Sequence, residues 1–188
     1  MSATGDRIRP ARVRRLKAVA LVIVVAGIAL DLWSKAYMQD LLGLAPRAQK
    51  SERVVEVIPG LFRFEGLWNP GVTFGLAQGW TESILAFTAL ASGGILAWLL
   101  LTRSRSRLLH VALGMILAGA LGNLYDRWKW QEVRDFLLVY WKDPSVWHWP
   151  AFNAADSMIV VGVGFILGIE LFGRREKSPA PAATEPSA

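Results

Sequence analysis

Four long apolar stretches divide the chain, and more polar segments separate them. The stretches are residues 18–37, 83–102, 108–125 and 154–172. Each is close to the roughly 20 residues that an α-helix needs to cross the hydrocarbon core of a bilayer. The pattern therefore predicts an α-helical membrane protein with four transmembrane helices.

The segments between these stretches predict smaller elements outside the membrane. Residues 38–80 contain apolar alternation at 54–58 and 61–64, with turn signals at Pro59 and Gly60 and at Pro70 and Gly71, which predicts a small β-domain. Residues 128–150 are aromatic-rich and amphipathic, which predicts a helix or loop along the membrane interface. Residues 1–17 form a basic extension, residues 18–173 form the membrane domain, and the low-complexity residues 174–188 are expected to be a disordered tail.

The first apolar stretch follows a basic head and could be a secretory signal instead of a permanent helix. Asp31, Trp33 and Lys35 stand where a cleavage site with small residues would be expected. We therefore predict that this stretch stays in the protein as the first span.

The distribution of charge predicts the orientation. The two termini and the loop with Arg103, Arg105 and Arg107 hold 12 of the 21 Lys and Arg residues and four of the 15 Asp and Glu residues, a balance of +8, whereas the other side has a balance of −2. The positive-inside rule places both termini in the cytoplasm. Tryptophan favours membrane interfaces, and eight of the nine lie at the opposite ends of the spans: Trp33, Trp68, Trp80, Trp128, Trp130, Trp141, Trp147 and Trp149.

Composition limits the chemistry. The chain has no cysteine, which excludes disulfides, thiolate metal sites and thiol nucleophiles. His110 and His148 are its only histidines and do not have the spacing of a zinc motif. We expect neither a metal nor a cofactor, and because topology accounts for the net charge of +6, we expect no nucleic-acid partner.

Polar residues gather at the extracytoplasmic ends of three predicted spans. Asp31 and Lys35 are four residues apart at the end of the first, so they share a helical face. At the end of the third span, Asn123 and Asp126 are three apart, Arg127 follows, and Gly114, Gly119 and Gly122 before them permit close helix packing. Taken singly, these groups could be interfacial ion pairs or polar helix ends.

Two further acidic residues are predicted at the same level. Asp135 lies in the hydrophobic setting VRDFL, and Asn153 and Asp156 share a face at the start of the fourth span. Asp135 could be an exposed interfacial acid, and Asp156 could be a helix cap. Two carboxylates held together would share a proton near neutral pH and could activate water. Sequence physics does not decide between Asp126 and Asp135 as the partner of Asp156.

Five motifs resemble those of the lipoprotein signal peptidases (signal peptidase II), the membrane aspartic peptidases of bacteria. In chain order they are DLWSK at Asp31, NPGVTFG at Asn69, GNLYDR at Gly122, VRDF at Val133 and FNAAD at Phe152. With the four spans, they cover about residues 18–172.

The resemblance implies that Asp135 and Asp156 are the catalytic dyad of an aspartic endopeptidase. It implies substrate binding or support of the site for eight further residues: Asn69, Gly71, Asn123, Asp126, Arg127, Asn153, Asp31 and Lys35. The substrate would be a prolipoprotein whose cysteine already carries diacylglycerol, cleaved just before that cysteine. The expected setting is a monomer among the lipids of the bacterial cytoplasmic (inner) membrane, with the site near the extracytoplasmic face and with Trp68, Phe74 or Trp147 as candidate lipid contacts.

Two features of the sequence allow more than one interpretation. Arg134 stands where the family usually has an apolar residue, and it could point at Asp135 or at lipid headgroups. The alternative function is a small proton-coupled transporter, which would also hold Asp, Asn and Arg in membrane helices. Transporters usually show internal repeats and polar groups near the membrane midplane, whereas these groups gather at one surface.

Overall fold

The computed structural model describes residues 8–46, 48–71 and 81–172. Within these ranges the elements are α1 (Ile8–Leu42), β1 (Lys50–Ile58), β2 (Phe62–Asn69), α2 (Thr81–Leu101), α3 (Arg107–Trp130), β3 (Val133–Val139) and α4 (Ala154–Phe172). All four helices are long and apolar enough to cross a membrane. The predicted class, four transmembrane helices with a small β-domain, is confirmed.

Helix α3 is the centre of the bundle. It packs against α1, α2 and α4, and its buried residues run along most of its length. Leu113 and Leu117 of α3 form an apolar core with Ala20 and Val24 of α1 and Leu99 of α2. Because the other three helices contact the same central helix, polar groups at one end of α3 can reach groups on both α1 and α4.

Two helices extend beyond the predicted apolar windows. Helix α1 has 35 residues, about 50 Å at 1.5 Å per residue, and is therefore longer than a bilayer core of about 30 Å. Helix α3 continues past Asp126 to Trp130 and ends where Gln131 adopts a left-handed conformation at φ 66°. Asp126 and Arg127 therefore lie inside the helix, and both are buried and have polar partners.

Close packing between α3 and its neighbours depends on glycine, as the sequence predicted. A Cβ atom added at Gly119 would collide with the backbone oxygen of Ala155, in the first turn of α4. One added at Gly122 would collide with the carboxylate of Asp31 on α1. The two glycines thus let the starting turn of α4 and the polar end of α1 approach the same stretch of α3.

The three strands form an antiparallel sheet in the order β1-β2-β3. In the pairing of β2 with β3, Leu67 lies opposite Asp135 and Asn69 lies opposite Val133. This register brings the end of β2 beside the start of β3, next to the end of α3.

For residues 128–150 the sequence predicted an interfacial helix or loop, and the structure shows a strand followed by a loop. The described chain forms no interfacial helix there. Helix α3 reaches Trp130, and β3 follows. The loop after β3 then returns, so that Phe152 forms a bridge with Leu137 of β3. Strand β3 is largely buried on both faces, so its sequence lacks the alternation of a half-exposed strand. Its strand state depends on pairing with β2, more than 60 residues earlier in the sequence.

Several expectations fall on residues outside the described ranges. Phe74 and Trp80 lie there, as do residues 72–75 of the NPGVTFG motif, residues 1–7 of the basic extension and the C-terminal tail from residue 173. The division into extension, membrane domain and tail stays a prediction.

The close contact at Gly119 gives a stability prediction. Gly119→Ala is expected to lower the stability of the detergent-solubilised protein by about 1–3 kcal/mol, because the new methyl group must push α4 away from α3. Gly164→Ala in α4 is the matched control, since nothing lies within 4 Å of its added Cβ. Thermal midpoints of the two variants would test this, and equal midpoints would contradict the proposed close contact.

Candidate active site

The site is built around the first turn of α4. Asn153 immediately precedes the helix, and its side-chain oxygen accepts from the backbone N–H of Asp156 at 3.0 Å. In return, the Asp156 carboxylate accepts from the backbone N–H of Asn153 at 3.1 Å. This reciprocal pair is a capping box, which satisfies otherwise free N–H groups at the helix start. The expectation that Asn153 and Asp156 lie together on one face is confirmed by these bonds.

Asp135 reaches the same place from β3. One of its carboxylate oxygens accepts from the Asn69 side-chain amide at 2.9 Å, and the other accepts from the Asn153 amide at 2.7 Å. Only 2% of Asp135 is exposed. Burial first, and then the negative charge of Asp156, raise the pKa of Asp135 to about 7, against the lowering effect of these amides and of Lys35.

Asn123 connects the two carboxylates to the helix bundle. Its side-chain nitrogen donates to Asp156 at 2.8 Å, and its side-chain oxygen accepts from Asn153 at 3.2 Å and from Lys35 Nζ at 2.9 Å. With a cation on the oxygen and a carboxylate on the nitrogen, the amide has one favourable orientation. Asn123 and Asn153 therefore hold Asp135 and Asp156 in one continuous network.

Lys35 lies beneath this network and is fully buried. Its Nζ atom is 2.8 Å from Asp31 Oδ2 and 3.5 Å from Asp126 Oδ2, and both carboxylates are fully buried as well. Asp31 also accepts from the backbone N–H of Ala155 at 3.0 Å, which ties α1 to the start of α4. The predicted pairing of Asp31 with Lys35 is present, but in the protein interior and not at an exposed interface.

Arg134 takes neither of the two directions considered from the sequence. Successive residues of a strand point to opposite faces, so Arg134 points away from its neighbour Asp135. Its guanidinium donates to Asp126 at 2.6 Å and 3.2 Å and to Gln39 Oε1 at 3.1 Å. Gln39 had no place in the sequence-based site, although it lies four residues after Lys35 and thus on the same face of α1.

A cavity of about 630 Å³ opens at the two carboxylates. Its polar lining includes Asp135, Asp156, Asn69, Asn123 and Arg127, and the rest is mainly apolar: Val133, Val139, Trp147, Trp149, Pro150, Ala151, Phe152, Val160 and Val161. Asp126 is fully buried among its cationic partners and is not in this lining. The cavity geometry favours Asp135 over Asp126 as the partner of Asp156.

A second cavity of about 550 Å³ lies between α2, α3 and α4. It shares Asn123, Arg127, Asp156 and Val160 with the first cavity. Asp156 therefore lines both cavities.

Arg127 connects the lining of the first cavity to the segment that follows β2. Its guanidinium donates to the backbone oxygen of Gly71 at 2.9 Å, and the backbone N–H of Gly71 donates to the Asn69 side chain at 3.1 Å. Arg127 thus supports the segment that carries Asn69, and it is the cation in the lining of the first cavity.

The aromatic residues have different positions. Trp147 lines the first cavity and is half-exposed. Trp68 is buried, donates to the backbone oxygen of Ala45 and makes an edge-to-face contact with Trp130. Trp68 therefore exposes little surface to lipid. Among residues 8–46, 48–71 and 81–172, no group of three or more His, Asp or Glu side chains is arranged to hold a metal ion.

Comparison with known proteins identifies the family. Residues 23–172 match the family described as signal peptidase (SPase) II. The chain belongs to the signal peptidase II family. The membership confirms the resemblance read from the five motifs and makes the protein an aspartic peptidase, and the transporter alternative is set aside.

Individual relatives agree with this assignment. The chain is 38% identical to a lipoprotein signal peptidase of Rhodopirellula baltica, over 88% of this chain and 84% of that protein. It is 36% identical to a lipoprotein signal peptidase of Pseudomonas aeruginosa, over 85% of this chain and 91% of that protein. A solved bacterial membrane enzyme, determined by the in meso method at 2.3 Å resolution, has the same fold, with a TM-score of 0.71 at 23% identity over 88% of this chain and 95% of that one. The protein is a multi-pass bacterial membrane enzyme.

The raised pKa of Asp135 predicts an unusual effect on stability. Between pH 4 and 7 the native protein keeps a proton on Asp135 that the unfolded chain, with an ordinary pKa of 3.8, has released, so wild-type stability falls as pH rises through this interval. The neutral side chain of Asp135→Asn avoids this loss. We expect the variant to be more stable than wild type by about 2 kcal/mol at pH 8 and the difference to disappear near pH 4.

Thermal midpoints measured from pH 4 to 8 would check this expectation. Asp126→Asn is the control, because it leaves Arg134 buried without its carboxylate and should lower stability at every pH. A destabilised Asp135→Asn variant at pH 8 would contradict the assignment of a raised pKa to Asp135.

Proposed function

We propose that Asp135 and Asp156 are the catalytic carboxylates with which this signal peptidase II enzyme removes signal peptides from diacylglyceryl-modified prolipoproteins. The observation that carries this proposal is the convergence of both carboxylates on one cavity, joined through Asn153. Cleavage would occur before the lipidated cysteine, as the family resemblance implies.

The chemistry follows from one proton shared by two carboxylates. Each carboxylate opposes ionisation of the other, so near neutral pH one is ionised while the other is protonated. The ionised group takes a proton from water as the water oxygen attacks the scissile carbonyl carbon, and the protonated group donates to the carbonyl oxygen. Breaking the C–N bond then requires a proton on the leaving nitrogen, which the group that received the water proton supplies.

The neighbouring residues act as positioning groups in this proposal. Asn69, Asn123 and Asn153 donate to the carboxylates and fix their orientation. Arg127 and Gly71 hold the segment of Asn69, while Asp31, Lys35 and Asp126 form the buried ionic support behind Asn123. Fixed donors and acceptors keep the dyad oriented for the reaction.

The shape and lining of the cavities suit a substrate with apolar parts. Most residues around the first cavity are apolar, and a pocket of this kind with a few convergent polar groups is typical of ligand sites. In this proposal the acyl chains and the signal helix stay in lipid, while the scissile amide reaches the dyad. A single copy of the chain supplies both carboxylates and the amides bonded to them, so the proposed reaction needs no second copy, and we propose that the enzyme acts as a monomer.

The proposed location follows from the charge distribution. The basic start of α1 and the loop with Arg103, Arg105 and Arg107 lie at the ends of the helices opposite to the site, and from the positive-inside rule we propose that both termini are cytoplasmic. The dyad would then lie near the extracytoplasmic face of the cytoplasmic (inner) membrane. Water could reach Asp135 and Asp156 there without crossing the hydrocarbon core.

Loss of either carboxylate tests the proposal. Asp135→Asn and Asp156→Asn are each expected to lower kcat at least about 1,000-fold, because each removes a proton-transfer group from the dyad. The measurement is cleavage of a lipidated prolipoprotein in detergent, with thermal midpoints as the folding control. The same prolipoprotein without diacylglycerol should be cleaved poorly by wild type.

The outcomes separate the alternatives. Turnover near the wild-type rate by either folded variant would exclude the proposed dyad. Asp126→Asn belongs in the same series, because an inactive but stable Asp126→Asn variant beside an active Asp135→Asn variant would move the catalytic role to Asp126.

Trp147 gives a test of substrate binding at the first cavity. Trp147→Ala is expected to raise KM by about 10-fold with a smaller effect on kcat, because an aromatic wall of the cavity is lost. Trp141→Ala is the matched control: Trp141 is also exposed on the same loop but is not part of the cavity lining. Equal KM values for the two variants would exclude a binding role for Trp147.

A further inference from the structure

Arg134 is the residue whose direction the sequence left open, and it lies directly beside the proposed catalytic residue Asp135. It is 6% exposed. The carboxylate of Asp126 accepts three hydrogen bonds from Arg134: from Nη2 at 2.6 Å, from Nε at 3.2 Å and from the backbone N–H at 3.2 Å. With the further bond to Gln39, Arg134 joins β3 to both α3 and α1.

The buried charges behind the site balance only when Arg134 is counted. Asp31, Lys35 and Asp126 are fully buried and together hold two carboxylates and one ammonium group. A buried charge without a partner is costly in such surroundings. Arg134 supplies the second cation, and the cluster of four becomes neutral.

The distances around Lys35 show how this balance reaches the site. Lys35 Nζ lies at hydrogen-bond distance from Asp31 Oδ2, 2.8 Å, and from Asn123 Oδ1, 2.9 Å, but 3.5 Å from Asp126 Oδ2. Asp126 therefore takes its direct hydrogen bonds from Arg134, and the ammonium group stays on Asn123. Asn123 is the amide that donates to Asp156.

We propose that Arg134 is a positioning residue: by neutralising Asp126 it keeps Lys35 bound to Asn123, and Asn123 in turn holds Asp156. The inference rests on the proposed catalytic role of Asp135 and Asp156. Without the guanidinium, Asp126 would draw Lys35 towards itself, and the oxygen of Asn123 would lose its cationic donor. The amide that orients Asp156 would then be less firmly held.

A movement of Lys35 towards Asp126 also predicts a change in the pH dependence of cleavage. The groups that act on Asp135 from the surrounding elements are the charges of Asp156, Arg127 and Lys35 and the amides of Asn69 and Asn153. Of these, Lys35 lowers the pKa of Asp135. If Lys35 were drawn towards an Asp126 that has lost its arginine, its positive charge would stabilise the ionised form of Asp135 less. The pKa of Asp135 would then rise.

The central experiment compares pH–rate profiles for cleavage of a lipidated prolipoprotein in detergent between pH 5 and 9. Arg134→Met keeps an unbranched side chain but removes the charge and the donors. We expect kcat at the optimum to fall roughly 10-fold, because the dyad is less well oriented, and the profile to move to higher pH by about one unit. Arg134→Gln provides the same test with an amide that can still donate to Asp126, and thus covers the case in which the Met variant does not fold.

Three controls separate this role from general support of the fold. Arg134→Lys keeps the charge and should retain the wild-type profile. Arg134→Met/Asp126→Asn removes both charges, so Lys35 has no new competitor and the profile should return towards that of wild type. Arg63→Met removes another mostly buried, ion-paired arginine, on β2 and outside both cavities, and should lower stability without moving the profile.

A folded Arg134→Met or Arg134→Gln variant with an unshifted profile overturns the inference, and so does a shift of the same size in Arg63→Met. An active Asp135→Asn variant would instead overturn the proposed dyad, and that outcome is read independently of Arg134.

Discussion

The contacts of Lys35 and of its partner Asp31 join three helices at one buried point. Its ammonium group is paired with Asp31 on its own helix, is bonded to Asn123 of α3 and lies near Asp126, while Asp31 accepts from the first turn of α4. A buried ammonium group without partners would cost several kcal/mol, so the polar ends of α1, α3 and α4 are constrained to meet. The relative placement of Asn123 and Asn153, and with it the geometry of the proposed dyad, depends on this meeting point.

The start of α4 serves the helix and the site with the same atoms. The Asp156 carboxylate accepts from the Asn153 backbone as part of a capping box and also accepts from the Asn123 amide beside the cavity. A helix cap and a reactive carboxylate are often treated as competing explanations for one residue, yet each carboxylate oxygen has room for its own partner. The helix start thereby holds the carboxylate at the cavity wall.

The sequence predicted what depends on local pattern. The four spans follow from apolar length, the pairing of Asp31 with Lys35 from helical spacing, and the gathering of Asp and Asn residues from the ends of the spans. The strand state of β3 was missed, because it depends on pairing with β2 and on burial of both faces. The direction of Arg134 also required structure, since it follows from the face that Val133–Val139 turns towards α3. The physics of the sequence alone left Asp126 and Asp135 open, and the family resemblance pointed to Asp135.

The close approach at Gly119 has a consequence for how such sites are studied. Asp156 stands in the turn of α4 whose backbone rests on Gly119, so a residue with no side chain sets the distance between the carboxylate and Asn123. A survey that removes functional groups one at a time has nothing to remove at this position. The spatial precision of the site is thus partly encoded as the absence of an atom, and only substitutions that add volume would reveal it.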